Sequence, residues 1–270
     1  MEPHGGILVD RIIRKQMLCK ELQDMPRVTV SDDIILDVEK IAIGAYSPLK
    51  GFMNSEDFGG VVERMRLANG NVWTIPIFLP VSNKSTDSVK VGRDTLICDS
   101  EGREIALIRP SDIYSYPKSK WVKAVYGTSS LRHPGVRKIL DLEGKLVGGD
   151  VWLLNKPRFE FEKFNISPRR ARDIIKKRGW KTVAGFQTRN VPHRAHEYLQ
   201  KIALSITDGI LLHPIIGWKK DGDFMPKLVI DSYKVLINRY FPKERVIFAG
   251  LATAMRYAGP REEEIGRAHV

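Results

Sequence analysis

Two stretches of the chain differ in how hydrophobic and polar residues alternate. From residue 28 to about 154, short apolar runs are separated by Gly, Pro, Asn and Asp, a pattern typical of a β-rich domain. The runs lie at residues 34–36, 72–81, 95–98 and 104–108. Polar residues 99–102 between the last two runs predict a hairpin turn. Helices are expected near residues 55–67 and 129–142.

After Phe164 the pattern changes to an alternation of helices and strands. Ser167 as N-cap and Pro168 at the first helical position predict a helix that runs to about Arg178 and ends at Gly179. The elements expected after it are strands at 181–187, 209–216 and 245–250 and helices at 193–206 and 226–240. This alternation predicts a parallel sheet with right-handed crossovers. We place the domain boundary near Asn165, which gives domains at 1–165 and 166–263.

The charge of the chain is unevenly distributed between these two domains. The net charge is +12, yet residues 1–165 carry 24 Lys and Arg against 22 Asp and Glu, while residues 166–270 carry 20 against 10. A basic excess attracts nucleic acid, anionic membranes or small anions. A nucleic-acid-binding surface needs clustered cations, so the near-neutral first domain argues against RNA binding there.

Other sequence features limit where the protein acts. No run of about 20 apolar residues predicts a membrane span, and the first residues do not resemble a secretory signal. The two cysteines, Cys19 and Cys98, fit a reducing compartment and have no metal-ligand spacing. We therefore expect a cytoplasmic protein without a protein-bound metal.

A polar turn separates the strand expected at 181–187 from the helix expected at 193–206. This turn and the start of the helix supply one cation, two amides, one hydroxyl and two imidazoles, from Gln187, Thr188, Arg189, Asn190, His193 and His196. In open α/β folds such a turn lies at the carboxyl edge of the sheet, where ligands bind, and a helix N-terminus favours anions. The set predicts a site for a polyanion.

The spacing of the two histidines supports a shared ligand. Residues three apart on a helix lie on one face, so His193 and His196 can act on the same group. A zinc site is the weaker interpretation, because helical zinc pairs have their histidines four apart with a Glu between them. For one histidine alone, a surface position in a helix-capping loop is the simpler alternative. The whole set favours the anion site.

The segment from Gln187 to Glu197 resembles the first active-site motif of ATP sulfurylases (sulfate adenylyltransferases), with Val191 where that family often has Pro. Further segments resemble the same family, and their order along one chain makes the resemblance specific. They are Pro3–Gly6, Ala45–Met53, Trp73–Ile77, His133–Val136, Gly217–Asp223 and Met255–Glu262.

The resemblance implies a fold, a reaction and an assembly. It implies an α+β, PUA-like β-barrel domain over residues 1–165, followed by an α/β Rossmann-like nucleotidyltransferase domain with a parallel sheet. The family joins sulfate to the α-phosphorus of ATP and forms adenylyl sulfate and pyrophosphate, reversibly. ATP is expected as Mg-ATP, and the full-length protein as a homo-oligomer.

The resemblance also assigns roles to the residues of the loop. Arg189 is suited to sulfate, because its planar fork can bind two oxygens and stays charged. Gln187 donates to sulfate or to an ATP phosphate, and Thr188 and Asn190 donate near the reacting phosphorus. His193 and His196 stabilise charge on the α-phosphate and on the departing pyrophosphate. All six residues are therefore expected to contact ATP, and five of them, Thr188, Arg189, Asn190, His193 and His196, to be catalytic.

Two further positively charged segments have open roles. Lys219 and Lys220, and the loop from Arg256 to Arg261, either line the anion site or form solvated turns.

The C-terminal part of the sequence departs from the family pattern. The last seven residues, 264–270, back-translate to the start of a widely used sequencing adapter, so they are either a non-native tail or a divergent terminus. A second family motif, Gly-Arg-Asp-His-Ala-Gly, is expected beyond residue 262 and is not present. Three strands form only part of a doubly wound domain, so we expect an open sheet edge, exposed apolar helix faces and little activity of residues 1–270 alone.

Two other functions fit parts of the sequence. The first is another nucleotidyltransferase, which activates a carboxylate or a phosphate ester. Sulfate-dependent release of pyrophosphate separates it from an ATP sulfurylase. The second is an RNA-binding protein that uses the PUA-like half, which an RNA gel shift would test.

Overall fold

The computed structural model describes residues 2–13, 22–217 and 222–262. These residues form two compact units, called here the first unit (residues 2–157 and 256–262) and the second unit (residues 158–255). The chain thus leaves the first unit after Pro157 and returns to it at Arg256. The boundary expected near Asn165 stays a prediction, and residues 256–262 bind partners in the first unit. Residues 264–270, the expected non-native tail, lie outside the described residues.

The first unit contains a mixed sheet. Its strands are β1 (Arg27–Thr29), β2 (Gly51–Phe52), β3 (Leu79–Val81), β4 (Thr95–Cys98), β5 (Glu104–Tyr114) and β6 (Lys145–Leu153). β4, β5 and β6 are antiparallel neighbours, β1 runs parallel to β4, and β2 and β3 both pair with β6. The predicted hairpin joins β4 to β5: the Arg103 N–H donates to the Asp99 carboxylate, and Gly102 takes a φ of 78°. Within the described ranges these pairings leave β1 at one edge of the sheet.

Helices pack around this sheet. They are α1 (Asp32–Ala42), α2 (Ser55–Arg64), α3 (Asn83–Thr86), α4 (Lys118–Tyr126) and α5 (Pro134–Leu140). α2 and α5 lie inside the two expected helices. An aromatic cluster in the core joins α2 and α4: Trp121 of α4 contacts Phe58 of α2 and Phe78, which precedes β3, edge to face at 4.8 and 4.7 Å between ring centroids.

Two predictions for the first unit are wrong. The apolar run at 34–36 was expected in a β-rich region, but it lies in α1, whose first turn carries Asp32 and Asp33. Acidic side chains there interact favourably with the helix dipole, and the apolar positions continue with helical spacing to residue 42. The run at 72–81 forms a strand only at Leu79–Val81. α4 was not predicted.

The second unit is a helix–sheet–helix sandwich. Its elements are α6 (Pro168–Lys177), β7 (Val183–Thr188), α7 (Arg194–Ile206), β8 (Gly209–Pro214), α8 (Pro226–Tyr240) and β9 (Val246–Phe248). The strands lie in the order β7-β8-β9, and both pairings are parallel. Each expected element is present, α8 with the expected bounds, and the Ser167 side chain caps α6 by accepting from the Arg170 N–H.

Alternate residues of β8 pack on opposite faces of the sheet. Ile210 and Leu212 contact the core formed with α7 and α8, whereas Leu211 packs with Ile175 of α6. In the described part of the chain β7 pairs only with β8, so it forms an edge, and its residues are half-buried or exposed. Four apolar residues of α7 are exposed as well, namely Tyr198, Leu199, Ile202 and Ile206. Among the described residues, β7 is therefore an edge strand with one unpaired side, and α7 has an exposed apolar face.

Among the described helices, none has the length and apolar character needed to cross a membrane.

Candidate functional site

Gln187 and Thr188 are the last two residues of β7. In the parallel pairing they lie opposite His213 and Pro214, the last two residues of β8. Carboxyl ends of parallel strands meet at one edge of a sheet, which is where ligands bind in open α/β folds. The strand that was expected to carry the polar turn therefore ends where a ligand site is expected.

Hydrogen bonds fix the turn after β7. The Asn190 N–H donates to the Thr188 hydroxyl at 3.2 Å, and the Ile215 N–H donates to the Thr188 carbonyl at 2.7 Å. Gln187 is exposed, whereas Thr188, Arg189 and Asn190 are half-buried. Serine and threonine hydroxyls form such turns by accepting from the backbone two residues on.

His193 and His196 stack on each other at the start of α7. Their ring centroids lie 3.9 Å apart with an interplanar angle of 26°, and Phe186 contacts the His196 ring edge to face at 5.3 Å. His193 is the N-cap residue, but its side chain forms no capping hydrogen bond. The first N–H groups of a helix have no partner within the helix and carry a partial positive charge. Both imidazoles thus lie at an electropositive helix end.

The environment of His196 favours its neutral form. Partial burial lowers the pKa of the His196 imidazole, and the neighbouring His193 lowers it further, while the Val191 carbonyl acts in the opposite direction. A neutral imidazole donates from one ring nitrogen and accepts at the other. The tautomer of His196 therefore decides which nitrogen can donate to a ligand.

Arg189 forms an ion pair with Asp223, from the segment between β8 and α8. One guanidinium nitrogen, Nη1, lies 3.1 Å from Asp223 Oδ2. The Arg189 side chain is 36% exposed and that of Asp223 12% exposed. Arg189 is therefore oriented by a carboxylate and still accessible to solvent.

Sequence reasoning missed two residues near this loop, Asp223 and His213. Asp223 lies within a segment that resembles the family, but no local signal identifies its arginine partner. His213 is buried on β8, next to Gln187 across the parallel pairing. Its position at the end of an apolar strand in the same sheet is a signal that could have identified it.

The structure describes only one of the two further positively charged segments. Lys219 and Lys220 lie outside the described residues. Arg256 and Arg261 belong to the first unit, where Arg256 binds Asp37 and Arg261 donates to carbonyls of Val61 and Val62. Both guanidinium groups therefore bind protein groups of the first unit, which does not support a role for them in the anion site.

Within residues 2–13, 22–217 and 222–262, no three His, Cys, Asp or Glu side chains lie together as a metal site requires. The polar loop, the helix start and the arginine instead suit a phosphate-like or sulfate-like ligand.

A parallel sheet with helices on both faces and a polar loop after its first strand is typical of α/β domains that bind nucleotides. A family model described as a PUA-like domain matches residues 1–156, and one described as ATP-sulfurylase matches residues 162–265.

Similar proteins from different organisms are named sulfate adenylyltransferase. A sulfate adenylyltransferase of Hyperthermus butylicus is 43% identical over 263 residues, which is 96% of this chain and 67% of that protein. One of Nostoc punctiforme is 44% identical over 265 residues, again 96% and 67%. A solved structure described as a hexameric APS kinase from Thiobacillus denitrificans has a TM-score of 0.78 at 23% identity, over 99% of this chain and 51% of that one.

The chain therefore spans about two thirds of these relatives and about half of the solved structure. It belongs to the sulfate adenylyltransferase (ATP sulfurylase) family, a family of nucleotidyltransferases, and its first unit is PUA-like.

Proposed function

We propose that the second unit holds ATP and sulfate and catalyses transfer of the adenylyl group to sulfate. A sulfate oxygen attacks the α-phosphorus of ATP while the bond from that phosphorus to the bridging oxygen breaks. Adenylyl sulfate forms and pyrophosphate leaves, and the reverse reaction uses the same groups. Both substrates are anions, so the work of the protein is positioning and charge neutralisation.

The observation that supports this best is the position of the loop. Gln187 and Thr188 end β7, Arg189 and Asn190 follow, and the stacked histidines begin α7. One short segment thus offers a guanidinium, amides, a hydroxyl, imidazoles and a helix N-terminus to a single ligand. Few reactions need so many donors for anions in one place, and joining sulfate to a triphosphate is one of them.

Arg189 is proposed to bind sulfate. Its fork can present two parallel N–H groups to two sulfate oxygens. The ion pair with Asp223 orients the guanidinium, and the side chain remains about one third exposed. An arginine oriented before its ligand arrives loses less freedom on binding.

The other loop residues are proposed to act on ATP. Gln187 donates to sulfate or to an ATP phosphate, and Thr188 and Asn190 donate near the α-phosphorus. His193 and His196 donate to the α-phosphate oxygens and to the leaving pyrophosphate. Hydrogen bonds that strengthen as charge develops lower the barrier, whereas equally strong binding of the ground state does not.

Further features of the proposal concern the whole protein. We propose that ATP binds as Mg-ATP, that the PUA-like first unit closes into a barrel and that the second unit is Rossmann-like. We also propose a cytoplasmic homo-oligomer. The hexameric state of the structurally similar APS kinase motivates the oligomer.

The test is release of pyrophosphate from ATP by the full-length protein, measured with and without sulfate. We expect release that depends on sulfate and that acetate or other small carboxylic acids do not support. Release that requires a carboxylic acid would instead favour a different nucleotidyltransferase. No release with either acceptor would refute the proposal.

A further inference from the structure

The buried face of α7 carries a polar residue one turn after His196. His196, Gln200 and Leu204 are spaced four apart, which places them on one side of the helix. Leu204 packs in the core of the second unit with Tyr233 of α8, and Gln200 is 0% exposed. Gln200 therefore lies between the histidine of the candidate site and the apolar core.

Four buried polar atoms of this region lack hydrogen-bond partners within the part of the chain that the structure describes. They are Nδ1 of His196, both amide atoms of Gln200 and the hydroxyl of Tyr233. Buried polar groups in proteins are nearly always paired, so each exception calls for an explanation. A buried glutamine without a hydrogen-bond partner makes the protein less stable than an apolar residue of similar size would.

The same four atoms can form hydrogen bonds with one another. The Tyr233 hydroxyl can donate to the Gln200 amide oxygen, and the Gln200 amide nitrogen can donate to His196 Nδ1. Burial raises the pKa of the Tyr233 phenol to about 12 and the Gln200 side chain lowers it, so the phenol stays protonated and the amide is near it. In the structure the Gln200 amide lies near the Tyr233 hydroxyl but outside hydrogen-bond geometry, and His196 lies one turn before Gln200 on the same side of α7.

His196 Nδ1 needs such a partner, because the stacking contacts do not select the tautomer and the interaction of the ring with the Val191 carbonyl leaves Nδ1 without a hydrogen bond. His193 and Phe186 hold the plane of the ring from two sides. Which nitrogen carries the proton of a neutral imidazole depends on the hydrogen bond that the other nitrogen makes. A donor at Nδ1 leaves the proton on Nε2, where it can be donated to a phosphate oxygen.

We propose that Gln200 is a positioning residue that holds His196 in the Nε2–H tautomer, with Tyr233 orienting the Gln200 amide from below. The inference rests on the proposed function, since it assumes that His196 Nε2 donates to ATP. It goes beyond that function by assigning a role to two residues of the core, neither of which is proposed to contact substrate. Gln200 and Tyr233 form the support of the catalytic imidazole.

The test is the ¹⁵N spectrum of the histidine rings in the full chain, with α,β-methylene-ATP as the bound probe. A His196→Gln variant assigns the signals. We expect Nε2–H in the parent protein, a mixture of tautomers in Gln200→Leu and a reversal to Nδ1–H in Gln200→Glu, whose carboxylate only accepts. Gln23→Leu, the same change at an exposed site in the first unit, should leave the spectrum unchanged.

Activity and stability provide a second readout that a purely structural role would not give. Gln200→Leu should lower kcat for pyrophosphate release roughly three- to tenfold, the equivalent of one net hydrogen bond, with little change in the KM for ATP. Its melting temperature should stay the same or rise, because an unpaired amide has been removed. Tyr233→Phe, which removes one oxygen, should shift the tautomer in the same direction and covers the case in which Gln200→Leu fails to fold.

The outcomes separate this inference from the proposed function. His196 signals that are the same in the parent, Gln200→Leu and Tyr233→Phe would overturn the positioning role, whatever the activity. If the tautomer changes as expected but sulfate does not support pyrophosphate release, the positioning role stands and the proposed reaction fails.

Discussion

Arg256 in the first unit and Arg189 in the second both pair with an aspartate, but the two pairs differ in burial and geometry. Arg256 Nη2 lies 2.6 Å from both carboxylate oxygens of Asp37, and the side chains are 12% and 5% exposed. Arg189 makes a 3.1 Å contact with Asp223 through Nη1 and is 36% exposed. The same two residue types thus form one buried ion pair and one ion pair whose arginine is partly exposed to solvent.

The surroundings of Arg256 explain its burial. Burial alone would lower the pKa of its guanidinium, but the Asp37 carboxylate outweighs that effect and raises the pKa. The Tyr46 hydroxyl also donates to Asp37, and Glu262 accepts from the backbone N–H groups of Arg256 and Ala258. The returning segment 256–262 is therefore bound to the first unit through a satisfied polar network.

The largest effect that follows from the comparison is on stability. Arg256→Ala leaves Asp37 buried without its cation, and removal of one partner of a buried pair costs about 3–5 kcal/mol. We expect the free energy of unfolding of the first unit to fall by that amount in urea titrations followed by tryptophan fluorescence. Arg109→Ala is the matched control, because Arg109 forms an exposed two-point pair with Asp94 in the same unit. Equal losses in the two variants would show that burial does not distinguish the pairs.

The next effect is on catalysis at Arg189. Arg189→Lys keeps the charge but removes the fork, so it cannot bind two sulfate oxygens in one plane. We expect turnover of the full-length protein at saturating sulfate to fall about 10²–10³-fold, as for loss of an oriented donor to the transition state. Arg239→Lys, at an exposed position of α8 in the same unit, serves as the control. Turnover equal to that of the parent protein would mean that Arg189 supplies charge alone.

A smaller effect is expected at His193, which stacks on His196. His193→Ala removes a donor to the α-phosphate, worth roughly 10- to 100-fold if it makes a charge-assisted hydrogen bond in the transition state. The decrease should fall on kcat rather than on the KM for ATP, which steady-state kinetics with saturating sulfate separate. A raised KM with an unchanged kcat would assign His193 to ground-state binding.

Local signals in the sequence account for most of the second unit. Ser167 and Pro168 mark the start of α6, and the apolar spacing at 226–240 gives α8 its observed bounds. These signals depend on neighbours within a few residues, so they can be read without the rest of the fold. The same is true of the polar loop after β7, whose position at the end of a strand followed from the alternation of elements. The roles of its residues stay predictions.

Long-range pairings could not be predicted in this way. Arg256 and Asp37 are 219 residues apart, and Arg261 and Thr74 are 187 apart. The segment with Arg256 and Arg261 follows the α/β elements directly, and nothing in its sequence indicates that it belongs to the first unit. The run Ile34–Leu36 was wrongly predicted from a local signal, because three adjacent apolar residues fit a strand or a helix. Asp32 and Asp33 in the first turn of α1 favour the helix.

The smallest expected effect completes the comparison of the two pairs. Ion pairs between partly exposed side chains contribute about 0–1 kcal/mol, so Arg189→Ala should change the free energy of unfolding of the second unit by no more than that. Sulfate should raise the melting temperature of the parent protein, because a ligand that binds only the folded state stabilises it. Arg189→Ala should lose most of that rise, whereas Arg256→Asn, measured where it remains folded, should keep it. A stability loss at Arg189 as large as at Arg256, or a rise with sulfate that does not depend on Arg189, would make both arginines structural.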